Sequence, residues 1–248
     1  MVYFNHGQFY VKNIIYNIII NDIIPTHKKS AIIKIIFILG GMYMKKLYLI
    51  RHGESEWNAL KKIQGQQDIP LTEKGIKQAK LIGNRLIKEG IEKIYSSDLK
   101  RAYDTAKIIG DILDIDVIPV KELREINFGI WEGLTSDILE VKYIKEHKLW
   151  LKEPENLKIE GAESIVEVQK RAMESVNKII NDNNNIDNVL IVSHGATLKT
   201  IILGLLGINI SHFKNMSLKN VSLSVIEFRQ HNRVLTLFND TNHLKEIK

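Results

Sequence analysis

The 248-residue sequence predicts an α/β fold: a three-layer sandwich with a mostly parallel central sheet and helices on both faces. Three observations carry that expectation. Short apolar runs of strand length alternate with longer stretches of helical period. The runs are apolar at consecutive positions, as in strands covered on both faces. Two of them end in the same His-Gly pair, each followed by a polar segment leading into a helix.

The elements follow in order from Met44. Lys46–Ile50 (KLYLI) is a short apolar strand. Thr72 is placed to cap a helix whose apolar positions Ile76, Ala79, Ile82 and Leu86 recur at helical spacing, with Gly90 closing it. Ile91–Tyr95 is the next strand. Ser96–Asp98 are expected to cap a helix that turns Ala102, Thr105, Ala106, Ile109 and Leu113 inward. After the short strand Val117–Val120, a lid-like helix is expected over Asp137–Trp150, then a long amphipathic helix over Ser164–Ile180 that ends in the Asn-rich run 181–185. Val189–Val192 is a buried strand followed by a helix from Ala196, and Val221–Phe228 pairs with Arg233–Phe238 as a hairpin. No tandem repeat or linker interrupts residues 44–248, which read as one domain.

Residues 1–43 read differently. They are rich in Ile, Asn, Tyr and Lys, and their apolar runs Ile14–Ile20 and Ile32–Gly41 are too short to span a bilayer. The expectation is a disordered extension or a mis-called start, with translation beginning at Met42 or Met44. A signal segment, with Lys28 and Lys29 ahead of Ala31–Leu39, is the second reading, and genuine structure the third.

The net charge is +6, of which +3 falls in residues 1–43. The rest of the chain is only mildly basic, which argues against a dedicated nucleic-acid binder. No cysteine is present, so disulfides, Cys-ligated metals and every thiolate nucleophile are excluded.

The two His-Gly units hold most of the functional signal. Leu47–Asn58 reads LYLIRHGESEWN and Val189–Thr200 reads VLIVSHGATLKT. In open α/β sheets, reactive side chains gather at the carboxyl ends of strands. Gly53 and Gly195 permit a tight turn that leaves amide N–H groups open beside a helix N-terminus, which suits an anion. A histidine at one strand end is more often structural than functional. The repeated unit, with Arg51 adjacent to His52, reverses that weighting, and His52 and His194 are read as facing one phosphate. Arg101, in the first turn of its helix, adds a second guanidinium. Glu125, just after Val117–Val120, is the candidate proton donor, with a salt bridge to Arg124 or a lysine as the competing reading. Glu54 and Glu132 read as structural. Lys142, Lys145, His147, Lys148 and Trp150 are either substrate contacts of the lid or, as charge runs usually are, a solvated face.

The run Arg51–Asn58 (RHGESEWN) resembles the signature of the histidine phosphatase superfamily, which includes the cofactor-dependent phosphoglycerate mutases. Gly65 with Asp68–Gly75, Ser96–Ala102, Glu125–Gly133 and Ser193-His194-Gly195 resemble that family in the same order, from about Lys45 to Phe238. The resemblance implies His52 as nucleophile and Arg51, Arg101 and His194 around the phosphoryl oxygens. It implies Glu125 as acid and then base, Asn58 as an amide donor to phosphate, and Ser55, Gln64 and Gly65 as further substrate contacts. It implies no metal and no cofactor.

Only 68 residues separate Glu125 from His194, where mutases of this family carry a longer insertion, and Ala196-Thr197-Leu198-Lys199 replaces their usual Asn-Ser-Leu-Arg. The expectation is therefore a phosphatase acting on a small-molecule phosphomonoester, of broad-specificity or α-ribazole-phosphate type. A mutase is the alternative and a non-catalytic phosphate-binding module the second. No nucleic acid and no stable membrane association are expected; the reading places the chain in the cytoplasm and leaves room for a homodimer.

Overall fold

The structure is a computed structural model that describes residues 44–247; the readings of residues 1–43 lie outside the described residues. Six strands form one sheet: β1 (Lys46–Arg51), β2 (Lys93–Ser96), β3 (Val117–Pro119), β4 (Asn188–Ser193), β5 (Leu223–Phe228) and β6 (Arg233–Asp240). Their spatial order is β3-β2-β4-β1-β5-β6. The pairs β2–β3, β2–β4 and β1–β4 are parallel, while β1–β5 and β5–β6 are antiparallel. Only β5 therefore runs against the rest, and the sheet is mostly parallel as expected.

Both faces of the sheet are covered, which explains the unbroken apolar strands. Leu47 and Leu49 of β1 and Val189 and Ile191 of β4 pack under α6 (Ile165–Asp182) and α7 (Gly195–Leu206), against Val176, Ile201 and Leu205. Tyr48, Ile50, Leu190 and Val192 point the other way, onto α2 (Glu73–Leu86) and α3 (Lys100–Leu113), against Ile82, Leu86, Ala106 and Ile109. A smaller core of Ile126, Phe128, Trp131, Leu139 and Phe213 supports the loops at the carboxyl edge.

The Thr72 cap forms where it is expected, its hydroxyl accepting from Gly75 N. Ser164, read as the first helical residue, is the N-cap of α6 and makes a reciprocal capping box with Glu167. Four expectations are corrected. Ile76 is 39% exposed, because the buried stripe of α2 runs through Gly75, Gln78, Ala79, Ile82 and Leu86, one position round the helix from it. That helix ends at Leu86, and Gly90 (φ +64°) instead turns the chain toward β2. The N-cap of α3 is Leu99, with no side-chain cap of its own; Asp68 from a distant loop accepts from Lys100 N at 2.6 Å. The expected single helix over Asp137–Trp150 is two, α4 (Ser136–Lys142) and α5 (Ile144–Lys152). Tyr143 breaks it at φ −131°, closing one helix with its N–H and opening the next with its carbonyl while its ring packs on Trp131.

Candidate active site

Parallel pairing of β1 with β4 sets Arg51 opposite Ser193, and His52 N donates to Ser193 O at 2.9 Å. The two His-Gly turns therefore leave the sheet side by side. The ring centroids of His52 and His194 lie 5.2 Å apart, inclined by 57°. Both side chains are almost wholly buried.

His52 Nδ1 donates to its neighbour's carbonyl, Gly53 O, at 2.7 Å. That bond places the ring proton on Nδ1 and leaves the free lone pair on Nε2. The backbone of the turn is held as well: Gly53 N donates to Thr105 Oγ1 (3.0 Å), and Asn220 Nδ2 donates to His52 O (2.9 Å). His194 Nε2 is 2.8 Å from Ser97 Oγ, while its Nδ1 is buried and unpartnered.

Two guanidinium groups flank the pair. Arg51 donates through Nη1 to Leu218 O (2.6 Å), and Arg101 donates to Gln67 O and Gly65 O (2.7 Å each). In both, Nε is buried without a partner. Burial lowers the Arg51 pKa and brings that of Arg101 down to about 10, still cationic at neutral pH. Burial, and then the charges of Arg101 and Arg51, push the pKa of His52 well below 6.5, so it is a neutral imidazole with its lone pair available. His194 is lowered for the same reasons, with His52 a further contributor. Such a pocket holds two cations, unpaired N–H donors and a neutral nitrogen base, which fits an anion with an electrophilic centre.

Glu125 lies at the N-terminus of α7. Its Oε1 accepts from Ile126 N, Thr197 N and Thr197 Oγ1, and its Oε2 accepts from Ala196 N at 3.1 Å. With one donor, Oε2 keeps capacity for a further hydrogen bond. The competing salt bridge to Arg124 does not form, since Arg124 pairs twice with Asp98 at 2.7 Å.

The remaining sequence candidates surround this centre. Ser55 caps α1 (Glu56–Ala59) and its hydroxyl donates to Gln64 Oε1 (2.8 Å), so its visible contacts are to the protein itself. Asn58 Oδ1 accepts from Ser55 N and Asn220 Nδ2. Gly65, at φ +53°, presents its carbonyl to Arg101 and leaves room for the Glu132 carboxylate. A cleft of about 280 Å³ is walled by Trp57, Leu139, His147 and Trp150, with Asn58 among its lining residues; neither His52 nor His194 lines it. Lys142, Lys145 and Lys148 face solvent away from it. Glu54 and Glu132 are engaged in the fold, Glu54 with Thr72 and Lys74 and Glu132 with Gln66, Gln67 and Phe128. No three His, Asp or Glu side chains converge as a metal site among the described residues.

Sequence reading gave no supporting role to Asn220, Thr105 or Arg171. Arg171 donates to the carbonyls of Glu122, Arg124 and Glu125 and pairs with Glu163, so it grips the loop that carries Glu125. All three act across 46 residues or more, which no local periodicity signals.

This centre defines a phosphate-directed histidine enzyme, and comparison with known proteins agrees. Residues 47–241 match the family model described as the histidine phosphatase superfamily (branch 1), and the chain belongs to that superfamily, among its histidine-dependent phosphatases. It is 36% identical to phosphoserine phosphatase 1 of Hydrogenobacter thermophilus over 204 residues, covering 82% of this chain and 96% of that one. It is also 36% identical over 187 residues to a Yersinia pestis protein named "Probable phosphoglycerate mutase GpmB", covering 75% and 86%. Among solved structures, the phosphoserine phosphatase of Entamoeba histolytica in complex with 3-phosphoglyceric acid matches with a TM-score of 0.73 and 39% identity, covering 81% of this chain and all of that one. A mycobacterial glucosyl-3-phosphoglycerate phosphatase matches at 0.75 and 27% identity, covering 79% and 100%. Among the described residues, no helix is long and apolar enough to cross a membrane.

Proposed function

We propose that the protein is a metal-independent phosphomonoesterase that passes the phosphoryl group of a small cytoplasmic metabolite through His52. The observation that carries this reading is the Nδ1 bond of His52 to Gly53 O, which leaves Nε2 as a neutral nucleophile beside two buried guanidinium groups. In the first step Nε2 attacks phosphorus, the bond from phosphorus to the ester oxygen breaks, and Glu125 delivers a proton to that oxygen. Arg51, Arg101 and His194 Nδ1 neutralise the charge spreading over the phosphoryl oxygens. In the second step a water oxygen attacks phospho-His52 and the P–N bond breaks. Glu125 takes the proton from the water, returning the enzyme with release of inorganic phosphate.

Asn58, reaching both the reactive edge and the cleft, is the amide donor to phosphate; Ser55, Gln64 and Gly65 place it and Arg101. The second reading, a mutase, has support in the relative named for that activity. Hydrolysis is favoured by the short span between Glu125 and His194, which leaves the pocket without the longer mutase insertion.

The test is a panel of phosphomonoesters that includes 3-phosphoglycerate and α-ribazole phosphate, assayed with and without EDTA. Phosphate release that survives EDTA, disappears in His52→Ala and passes through an acid-labile phosphoenzyme on rapid quench is the expected result. Glu125→Gln should lose about 10²–10⁴-fold on alkyl esters. Isomerisation of 3-phosphoglycerate without phosphate release would establish the mutase instead, and no phosphoenzyme at all would leave only a binding module.

A further inference from the structure

The aim of Arg101 is set by two carbonyls, Gly65 O and Gln67 O, each accepting from one end of the guanidinium at 2.7 Å. A planar fork gripped at both ends turns only with the loop that grips it, so the unpartnered Nε points where that loop sends it. The loop in turn is held by Glu132. Its Oε1 accepts at 2.9 Å from Gln66 N, which lies between the two carbonyls in sequence, and its Oε2 accepts from Gln67 Nε2 at 2.8 Å. Oε1 also accepts from Phe128 N at 3.1 Å, which ties the loop to the segment that follows Glu125.

The contact is close enough to dictate the residue at position 65. A Cβ on Gly65 would overlap Glu132 Oε1, and the backbone there stands at φ +53°. The charge of Glu132 also reaches the guanidinium. Burial lowers the Arg101 pKa to about 10, and the carboxylates of Glu125, Asp68 and Glu132 each oppose that fall. Glu132 is thus felt by Arg101 while its own hydrogen bonds go to the loop, and the Arg101 Nε stays open toward an anion.

We propose that Glu132 is a positioning residue for phosphoryl transfer, seating residues 65–67 so that Arg101 meets the phosphoryl oxygens. The proposal rests on the phosphomonoesterase reading above and gives a carboxylate that the sequence reads as structural a part in the rate.

p-Nitrophenyl phosphate tests it. Its leaving group departs without a proton, so a slower reaction reports on the phosphoryl oxygens and not on Glu125. The quantity measured is single-turnover formation of phospho-His52. Glu132→Ala should slow the saturating rate about 10–100-fold and move the half-saturating ester concentration less than threefold, because Arg101 acts most on charge that develops in the transition state. Glu132→Gln keeps an oxygen for Gln66 N and Phe128 N, and the exposed Gln67 amide can turn to meet its NH2 group, so its rate should stay within fivefold of wild type.

The deciding comparison is made in Arg101→Met. There Glu132→Ala should cost less than twofold, because its effect passes through a guanidinium that is no longer present. An equal cost in both backgrounds assigns the loss to a loosened fold and overturns the role. So does a normal rate for Glu132→Ala, or a Glu132→Gln enzyme as slow as Glu132→Ala. If Glu132→Ala does not fold, Glu132→Asp takes its place in both backgrounds, since it keeps the charge and withdraws the carboxylate by one methylene. A wild-type enzyme that forms no phospho-His52 and releases no phosphate overturns the phosphatase reading and this role with it, whereas the double-variant comparison can fail while the phosphatase reading stands.

Discussion

Ser97 Oγ stands 2.8 Å from Nε2 of His194 and accepts a hydrogen bond from Leu99 N at 3.3 Å. With one lone pair already occupied by an N–H, the hydroxyl is free to donate to the imidazole. A hydroxyl donating there puts the His194 proton on Nδ1, the buried nitrogen with no protein partner. On the proposed mechanism Ser97 then acts as a positioning residue that keeps a donor, rather than a lone pair, available to the phosphoryl oxygens. Ser97→Ala should lower kcat about 10–100-fold with little change in KM, and Ser97→Thr should restore most of it. Nitrogen NMR of labelled histidine reads the tautomer directly. An unchanged His194 tautomer in Ser97→Ala would refute the assignment.

Arg171 bears on the other side of the site. Its five hydrogen bonds tie Glu163 to the carbonyls of Glu122, Arg124 and Glu125 in the loop ending in Glu125. Arg171→Met should cost about 2–3 kcal/mol of stability, because a charged donor is lost and Glu163 remains partly buried. It should also cut kcat by roughly 10–100-fold through misplacement of Glu125. Chemical denaturation and steady-state kinetics measure the two effects. A stable variant with normal turnover would show that the loop holds its shape without the arginine.

Gly53 and Gly75 meet backbone to backbone. A Cβ on Gly53 would stand 2.6 Å from Gly75 O, and one on Gly75 would collide with Glu54 O. Backbone cannot yield as a side chain does, so Gly75→Ala should cost about 1–3 kcal/mol and lower Tm by several degrees. Ile76→Ala, next in sequence but exposed, should change stability by less than about 0.5 kcal/mol. Similar melting temperatures for the two variants would contradict the close-approach argument.

A pH effect follows from the cluster of Arg85, Asp240 and His243. Burial, then the Arg85 charge, lower the His243 pKa from 6.5 to about 4, and hydrogen bonding to Arg85 lowers that of Asp240 to about 2. Between pH 6.5 and 4 the unfolded chain binds a proton on His243 that the folded chain refuses. The stability that His243 contributes is full above pH 6.5 and is lost as pH falls toward 4. Asp240 acts lower, its contribution present above about pH 4 and lost as pH falls through 2. Urea unfolding of the wild type should therefore weaken more steeply between pH 7 and 4.5 than that of His243→Gln. Parallel pH profiles would remove His243 as the cause.

The cleft and the centre were unequally legible. Thr72 was readable as a cap because it bonds a group three residues away, within reach of a local pattern. Ser97 and Asp98 carry the right chemistry for a cap, yet the fold commits them to His194 and Arg124, and Asp68, 32 residues upstream, caps α3 in their place. The break at Tyr143 was hidden because the helical period continues through it, while packing on Trp131 decides its backbone.

By itself the sequence determined the fold class, the two strand–His-Gly–helix units and the order of the motifs around them. These depend on periodicity and turn chemistry among near neighbours, which each segment carries wherever it is placed. Tertiary structure decided that β1 and β4 are adjacent, and so that His52 and His194 face each other at 5.2 Å. It also set Glu125 on the N-terminus of α7. Those outcomes come from burying side chains across dozens of residues of chain, where packing chooses the partner and local pattern does not.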